Sequence, residues 1–276
     1  MWQKSSRRWC IWLCPYLWVS AQAINYAPMD HAFATEGDNE QTSSQASFAR
    51  FAGRAPVRYT APSAITLGAP NAHGVRAFVD SEGYERHFHG VNAVVKGPPW
   101  HPSVGEYDFE TSLVNQDFLL LQGMGVTVIR LGMMWAGVEP LRGQYNYSYI
   151  ETLRGIAKNA AAYGIYTLLD MHQDGMSEKF CGEGLPAWAV QPSGQLPFPE
   201  PVGPAFRNTD PATGFPTRSE CALHAWSSYY LSEACSTAYE ALYSNADGLL
   251  DAWGAMWHTV AAVLNLLVFL VQRNKC

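Results

Sequence analysis

Two short apolar runs with a helical segment between them constrain this chain more than any other feature. Residues 126–131 read Val-Thr-Val-Ile-Arg-Leu, and residues 165–170 read Ile-Tyr-Thr-Leu-Leu-Asp. Runs of this length, rich in β-branched residues, are expected as strands covered on both faces of a sheet. Between them, residues 148–163 place Ile150, Leu153, Ile156, Ala157, Ala160 and Ala161 near helical spacing, and Gly164 follows as a stop. Upstream, residues 115–125 form a second helical face with Phe118, Leu119, Leu120 and Leu121, ended by Gly123 and Gly125. Residues 89–94 are a candidate first strand. Strand, helix, strand, helix, strand with short links predicts parallel βαβ units, hence an α/β fold. A closed barrel and an open doubly wound sheet both satisfy that alternation.

The flanking segments read differently. Residues 1–23 carry Lys4, Arg7 and Arg8, then an apolar stretch, then Ala21-Gln22-Ala23. That order is expected of a cleaved signal peptide, which predicts a secreted protein or one held in the secretory lumen. Residues 24–73, rich in Ala, Ser, Thr, Gln and Pro, read as a flexible leader. Residues 74–263 hold the periodic segments, and residues 264–276 form an apolar tail of different character. Residues 75–79 and 84–89 flank Asp80-Ser81-Glu82-Gly83, the signature of a β-hairpin. With Cys10 and Cys14 lost with the signal peptide, Cys181, Cys221, Cys235 and Cys276 remain in a compartment that permits disulfides. Their spacing matches no zinc pattern and leaves three full pairings open. A single acceptor motif for N-linked glycans, Asn146-Tyr147-Ser148, lies ahead of the second helix.

The formal charge of −6 argues against a nucleic-acid partner, which would call for a basic stripe. Residues 253–271 approach the length of a membrane span, with Arg273 and Lys275 beyond them. The alternative, an amphipathic helix through 263 with an unrelated tail, is the reading adopted.

Chemistry in parallel α/β folds sits at the carboxyl ends of strands. The residues at those ends are Asn92 with Lys96 close behind, Arg130, and Asp170-Met171-His172-Gln173-Asp174. Side chains alternate along a strand, so Asp170, His172 and Asp174 are expected on one side. Polar groups emerging from an apolar strand must pair with one another or meet a ligand. Contacts to substrate hydroxyls are the favoured reading. A self-contained polar network and a metal site at Asp170, His172 and Asp174 are the rivals; no metal or other cofactor is expected. After this cluster, residues 175–218 form a long Pro- and Gly-rich loop of the kind that is usually functional.

A resemblance now becomes specific. The segments His87-Phe88-His89-Gly90-Val91-Asn92, Val95-Lys96-Gly97-Pro98-Pro99-Trp100-His101-Pro102, residues 125–135, Leu168-Leu169-Asp170-Met171-His172-Gln173-Asp174 and Phe180-Cys181-Gly182-Glu183-Gly184-Leu185-Pro186-Ala187-Trp188-Ala189 together resemble endoglycoceramidases. These are cellulase-like enzymes of glycoside hydrolase family 5. The resemblance implies a (β/α)8 barrel of which this chain holds the first three to four βα units. It implies cleavage of the β-linkage between oligosaccharide and ceramide in glycosphingolipids, with retention. A glycolipid or oligosaccharide substrate follows, and with a lipid substrate comes contact with a membrane surface. By the same resemblance Lys96, Asp170, His172 and Asp174 occupy sugar subsites, and Arg130 supports the nucleophile or, alternatively, is a structural ion-pair partner. His172 is a further supporting residue. Trp135 and Trp188 are either sugar platforms or ordinary packing.

Retaining glycosidases need two carboxyl groups about 5–5.5 Å apart. The resemblance places one in an Asn-Glu-Pro motif after strand four and the other after strand seven. From Gly74 onward the sequence has no Asn-Glu dipeptide; Asn39-Glu40, in the leader, is a chance pair. From Gly74 to Cys276 there are about 200 residues, where a barrel needs about 250. The sequence therefore predicts a barrel fragment lacking both catalytic glutamates, and no activity from the chain alone.

Overall fold

The computed structural model describes residues 62–264. Residues 1–23, Cys276 and the end of the apolar stretch at 253–271 lie outside them, as does most of the leader.

Structure begins earlier than the sequence suggests. Strand β1 (Thr66–Leu67), inside the segment read as a flexible leader, pairs antiparallel with β2 (Phe78–Val79). The turn after β2 is the predicted one. Its Asp80 carboxylate accepts from the backbone N–H of Glu82 and Tyr84 at 3.0 and 2.8 Å and holds Arg86 at 2.7 Å. The second arm returns only as a single bridge, Val79 to Glu85.

The main sheet has three parallel strands in the order β3 (Gly90–Ala93), β4 (Val128–Met133) and β5 (Tyr166–Met171). Helix α1 (Asn115–Gly123) connects the first pair, and the short α2 (Trp135–Val138) and α3 (Tyr147–Ala162) connect the second. These are the βα units that the periodicity predicts. Helix α3 starts where the Asn146 side chain accepts from the Tyr149 N–H at 3.1 Å, and it buries Ile150, Leu153, Ile156 and Ala160 along one stripe. Gly164, at φ +75°, takes the left-handed turn that releases the chain into β5.

One face of the sheet is covered. Ile129, Leu131 and Met133 of β4 are fully buried and belong to one cluster with Ile150, Leu153, and residues of α5 (Glu233–Tyr243) and α6 (Leu249–Leu264). The other face departs from expectation: Leu168, in register with Arg130 on that side, is 57% exposed. A barrel strand is buried on its inner side by strands across the barrel, and three strands among the described residues cannot supply them. Strand β3, expected as a buried strand, is an exposed edge because only β4 pairs with it among the described residues, and Val91 is 37% exposed there.

The long loop after β5 is organised by a disulfide, Cys181–Cys221, which settles one of the pairings left open. Phe198 contacts Phe180, Phe206 and Tyr229, joining the loop's aromatic rings to the main core. The helix α4 (Arg218–Cys221) carries the second cysteine. Cys235 stays a buried free thiol whose pKa burial pushes up to about 11. No described helix is long and apolar enough to cross a membrane.

Candidate active-site face

At the carboxyl ends of β4 and β5 a charged chain runs across the sheet. The parallel register sets Arg130 opposite Leu168 and Gly132 opposite Asp170. The Arg130 side chain then meets the Asp170 carboxylate at 2.6 Å. The same carboxylate oxygen lies 3.1 Å from His172 Nδ1, which orients the imidazole. His172 Nε2 is thereby aimed at Asp174 Oδ2, 3.4 Å away, and Glu183 Oε1, 3.8 Å away. Lys96, from the loop after β3, closes the chain by pairing with Asp174 and reaching Glu183 Oε1 at 3.0 Å. Lys96, Arg130, Asp170, His172 and Asp174, singled out from sequence, are brought together here.

Glu183 is the member that sequence reasoning missed. Past Met171 the chain leaves the parallel ladder, and Asp174 forms an antiparallel bridge with Glu183, with N–H···O distances of 3.0 and 2.7 Å. Two glycines make that approach feasible. A Cβ on Gly182 would stand 1.8 Å from the Asp174 carbonyl oxygen, and one on Gly184, at φ +122°, 2.4 Å from Gln173 Cβ. The Gly-Glu-Gly tripeptide was therefore a legible signal of backbone pressed on backbone, with an acid between. Gln173 points elsewhere: its Oε1 accepts from the Met176 N–H and from Tyr239 Oη, tying α5 to the loop.

Burial and the ammonium of Lys96 act on each of the two carboxyls in opposite directions, and the balance differs between them. Burial pushes the Glu183 carboxyl up, against the pull of Lys96 and with the push of neighbouring Asp174. Burial acts upward on Asp174 too, but hydrogen bonds from Lys96 and Glu183 outweigh it and hold the group below its usual 3.8. Burial also opposes the Lys96 charge, yet both carboxylates outweigh it and raise its pKa. Acidification should therefore protonate Glu183 above its usual 4.5 while the Lys96–Asp174 pair persists. In linkage terms, Asp174 adds stability above 3.8 that is lost as pH falls through its lowered value. Glu183 works the other way, its contribution falling as pH rises above 4.5. Carboxyl-carbon NMR of the two side chains checks the order, and Asp174 protonating first would refute it.

His172, Asp174 and Glu183 have ligand atoms within 4.8 Å of one another, a grouping able to hold a metal ion. Lys96 already places a cation between the two carboxylates, so a divalent ion would have to displace it. The donor set suits a lysine better than a metal.

The two tryptophans fare differently from the charged residues. Trp135 is 0% exposed, its indole N–H donating to Glu139 Oε2 at 2.8 Å and its ring edge-on to Trp188 at 5.2 Å. No face of Trp135 is open to a ligand, so the packing reading applies to it. Trp188 is partly buried, donates to the Glu139 carbonyl and carries Arg142 5.6 Å from its ring centre. The open indole beside the charged chain is Trp226, 59% exposed with Lys96 Nζ 5.8 Å from its ring centre. Its place depends on the folding of the long loop, which no local pattern announced.

A parallel β/α sheet with its charged groups at the strand ends defines a protein of the α/β class, and its likeness to known proteins makes it part of a (β/α)8 barrel. Residues 79–195 match the family model described as Cellulase (glycosyl hydrolase family 5). Over 183 residues the chain is 50% identical to an endoglycoceramidase of Cyanea nozakii, covering 66% of this chain and 36% of that protein. It is 46% identical to an endoglycoceramidase of Hydra vulgaris, covering 67% of this chain and 35% of the relative. The solved endo-glycoceramidase II from Rhodococcus sp., in complex with a five-membered iminocyclitol, shares the fold at a TM-score of 0.50 and 23% identity. That likeness covers 67% of this chain and 37% of the other. The chain is an endoglycoceramidase-like member of glycosyl hydrolase family 5. It spans about a third of the length of the curated relatives it matches.

Proposed function

We propose that this chain forms the sugar-binding wall of a retaining glycoside hydrolase that acts on the oligosaccharide–ceramide β-linkage of glycosphingolipids, and that alone it binds without cleaving. One observation carries the reading. His172 Nε2 and Glu183 Oε1 are buried and lack a hydrogen-bond partner, although Lys96 and Asp174 lie beside them. The Lys96–Glu183 approach is close enough for an ion pair but not aligned as a hydrogen bond. Unpaired buried polar atoms are costly, so a group that donates to one and accepts from another is favoured there. A sugar hydroxyl does both. Arg130, held by Asp170, keeps its proposed place as the cation beside a nucleophile.

Glycolipid substrate implies work at a membrane surface, and the Cys181–Cys221 bond is in keeping with export to an oxidising compartment. A second reading, a carbohydrate- or glycolipid-binding remnant without catalysis, is favoured by the position of all the site's carboxylates on one wall. Both readings share the sugar site and differ in whether catalysis exists in any form of the protein.

Calorimetric titration of the chain with a free ganglioside oligosaccharide tests that site. Hydrogen bonds to charged groups contribute about 1.5–3 kcal/mol each, so Lys96→Met should weaken binding about tenfold or more. Absence of binding, or unchanged affinity in Lys96→Met, would overturn the sugar-site reading.

A further inference from the structure

We propose that Asn146 carries an N-linked glycan on its side-chain nitrogen. Asn146-Tyr147-Ser148 is the single Asn-X-Ser/Thr motif in the chain, with X other than proline. All three residues are exposed, at the N-terminal start of α3, where Asn146 is the cap and Tyr147 and Ser148 open the helix. An acceptor motif that folding buries cannot hold a bulky hydrophilic modification; this one stays at the surface.

The atoms divide cleanly between two roles. Asn146 caps α3, and the cap uses only Oδ1, which accepts from the Tyr149 N–H. Among the described residues nothing bonds to Nδ2. The glycan forms its bond at that nitrogen, so the helix cap and the modification do not compete. In the transfer, Nδ2 attacks the anomeric carbon of an oligosaccharide carried on a polyprenyl diphosphate. The carbon–oxygen bond to the diphosphate breaks, the diphosphate leaves with the electron pair, and the amide gives up one proton to a base.

The second, independent observation is the disulfide. Cys181 and Cys221 are bonded, and such bonds form in the compartments where N-linked glycans are added. Tyr147 within the motif and Leu141 ahead of it are exposed, and a glycan there would cover apolar surface that is otherwise in water.

The test is expression of the full chain in a secretory eukaryotic host, followed by mass spectrometry of the Asn146 peptide before and after enzymatic release of N-glycans. The expected result is a modified peptide, a gel shift on release, and loss of both in Ser148→Ala. That variant leaves the cap in place, whereas Asn146→Gln also alters the helix start. Ser148→Thr should keep the modification. The same digest reads the state of Cys181 and Cys221. An unmodified Asn146 in a chain with the bond formed shows that the motif is not used. An unmodified Asn146 with both thiols reduced shows that the chain does not reach the glycosylating compartment. Either result overturns the proposal.

Discussion

The purified 276-residue chain should release no oligosaccharide from a ganglioside, at any pH between the carboxylate and histidine ranges. Retention needs an acid/base and a nucleophile on opposite sides of the scissile bond, about 5–5.5 Å apart. The carboxyls gathered at the strand ends are Asp170, Asp174 and Glu183, and each is already engaged on one wall. Asp170 is held by Arg130 at 2.6 Å and oriented toward His172, while Asp174 and Glu183 share Lys96. Glu183, with its raised pKa, is the one that resembles a general acid, yet its neighbouring carboxylate, Asp174, lies on the same wall and shares Lys96 with it. Positioned acid–base catalysis alone is worth about 10²–10⁴ in rate, and without a nucleophile the covalent route is closed. The expected rate is therefore that of buffer, measured as reducing sugar or labelled oligosaccharide released. Release that disappears in Asp170→Asn would sink the claim, because it would show that this wall contains the catalytic pair after all. A catalytically competent longer form would favour the hydrolase reading over the binding remnant.

Replacing both disulfide cysteines, Cys181→Ser with Cys221→Ser, should cost about 4 kcal/mol of stability. The bond spans a sequence separation of 40, and closing a loop of that length removes roughly that much chain entropy from the unfolded state. Since whole domains are stable by only about 5–15 kcal/mol, the variant should lie near its folding limit. The loss has a local side as well. The loop that the bond secures carries Glu183, so the Lys96–Glu183 approach should fail before the β4–β5 sheet does. Denaturant melts of wild type and double variant, run without reductant, give the stability change. Cys235 does not complicate the comparison, being buried and held protonated near neutral pH. An unchanged midpoint would show that the aromatic cluster around Phe198 holds the loop without help.

The open sheet explains why sequence reading succeeded in some places and failed in others. Helix α3 and strands β4 and β5 were legible because their signals are local. A stripe at helical spacing, a β-branched run, an Asn cap and a left-handed Gly act within a few residues of where they are read. The meeting of Asp170, His172 and Asp174 was expected from alternation along one strand, but β5 ends at Met171, and the Asp174–Glu183 bridge is what turns Asp174 back toward His172. Burial was not. The β3 and β5 residues that read as core are exposed at Val91 and Leu168, because burial depends on what other segments lie opposite. Trp135 packs inside and Trp226, unremarked in the sequence, stands open on the same ground: an indole reads alike in sequence whether it packs against Glu139 and Trp188 or lies beside Lys96.

By itself the sequence determined the parallel βαβ order, the strand ends where charge collects, and most of the residues that meet there. Tertiary structure alone decided that Glu183 joins them, that Cys181 bonds to Cys221, and that the inner face of the sheet is uncovered among the described residues. The first group rests on the periods of helix and strand, which the backbone imposes on every short stretch of chain. The second rests on contacts between residues far apart in sequence, whose partners become known only when the chain is folded around them.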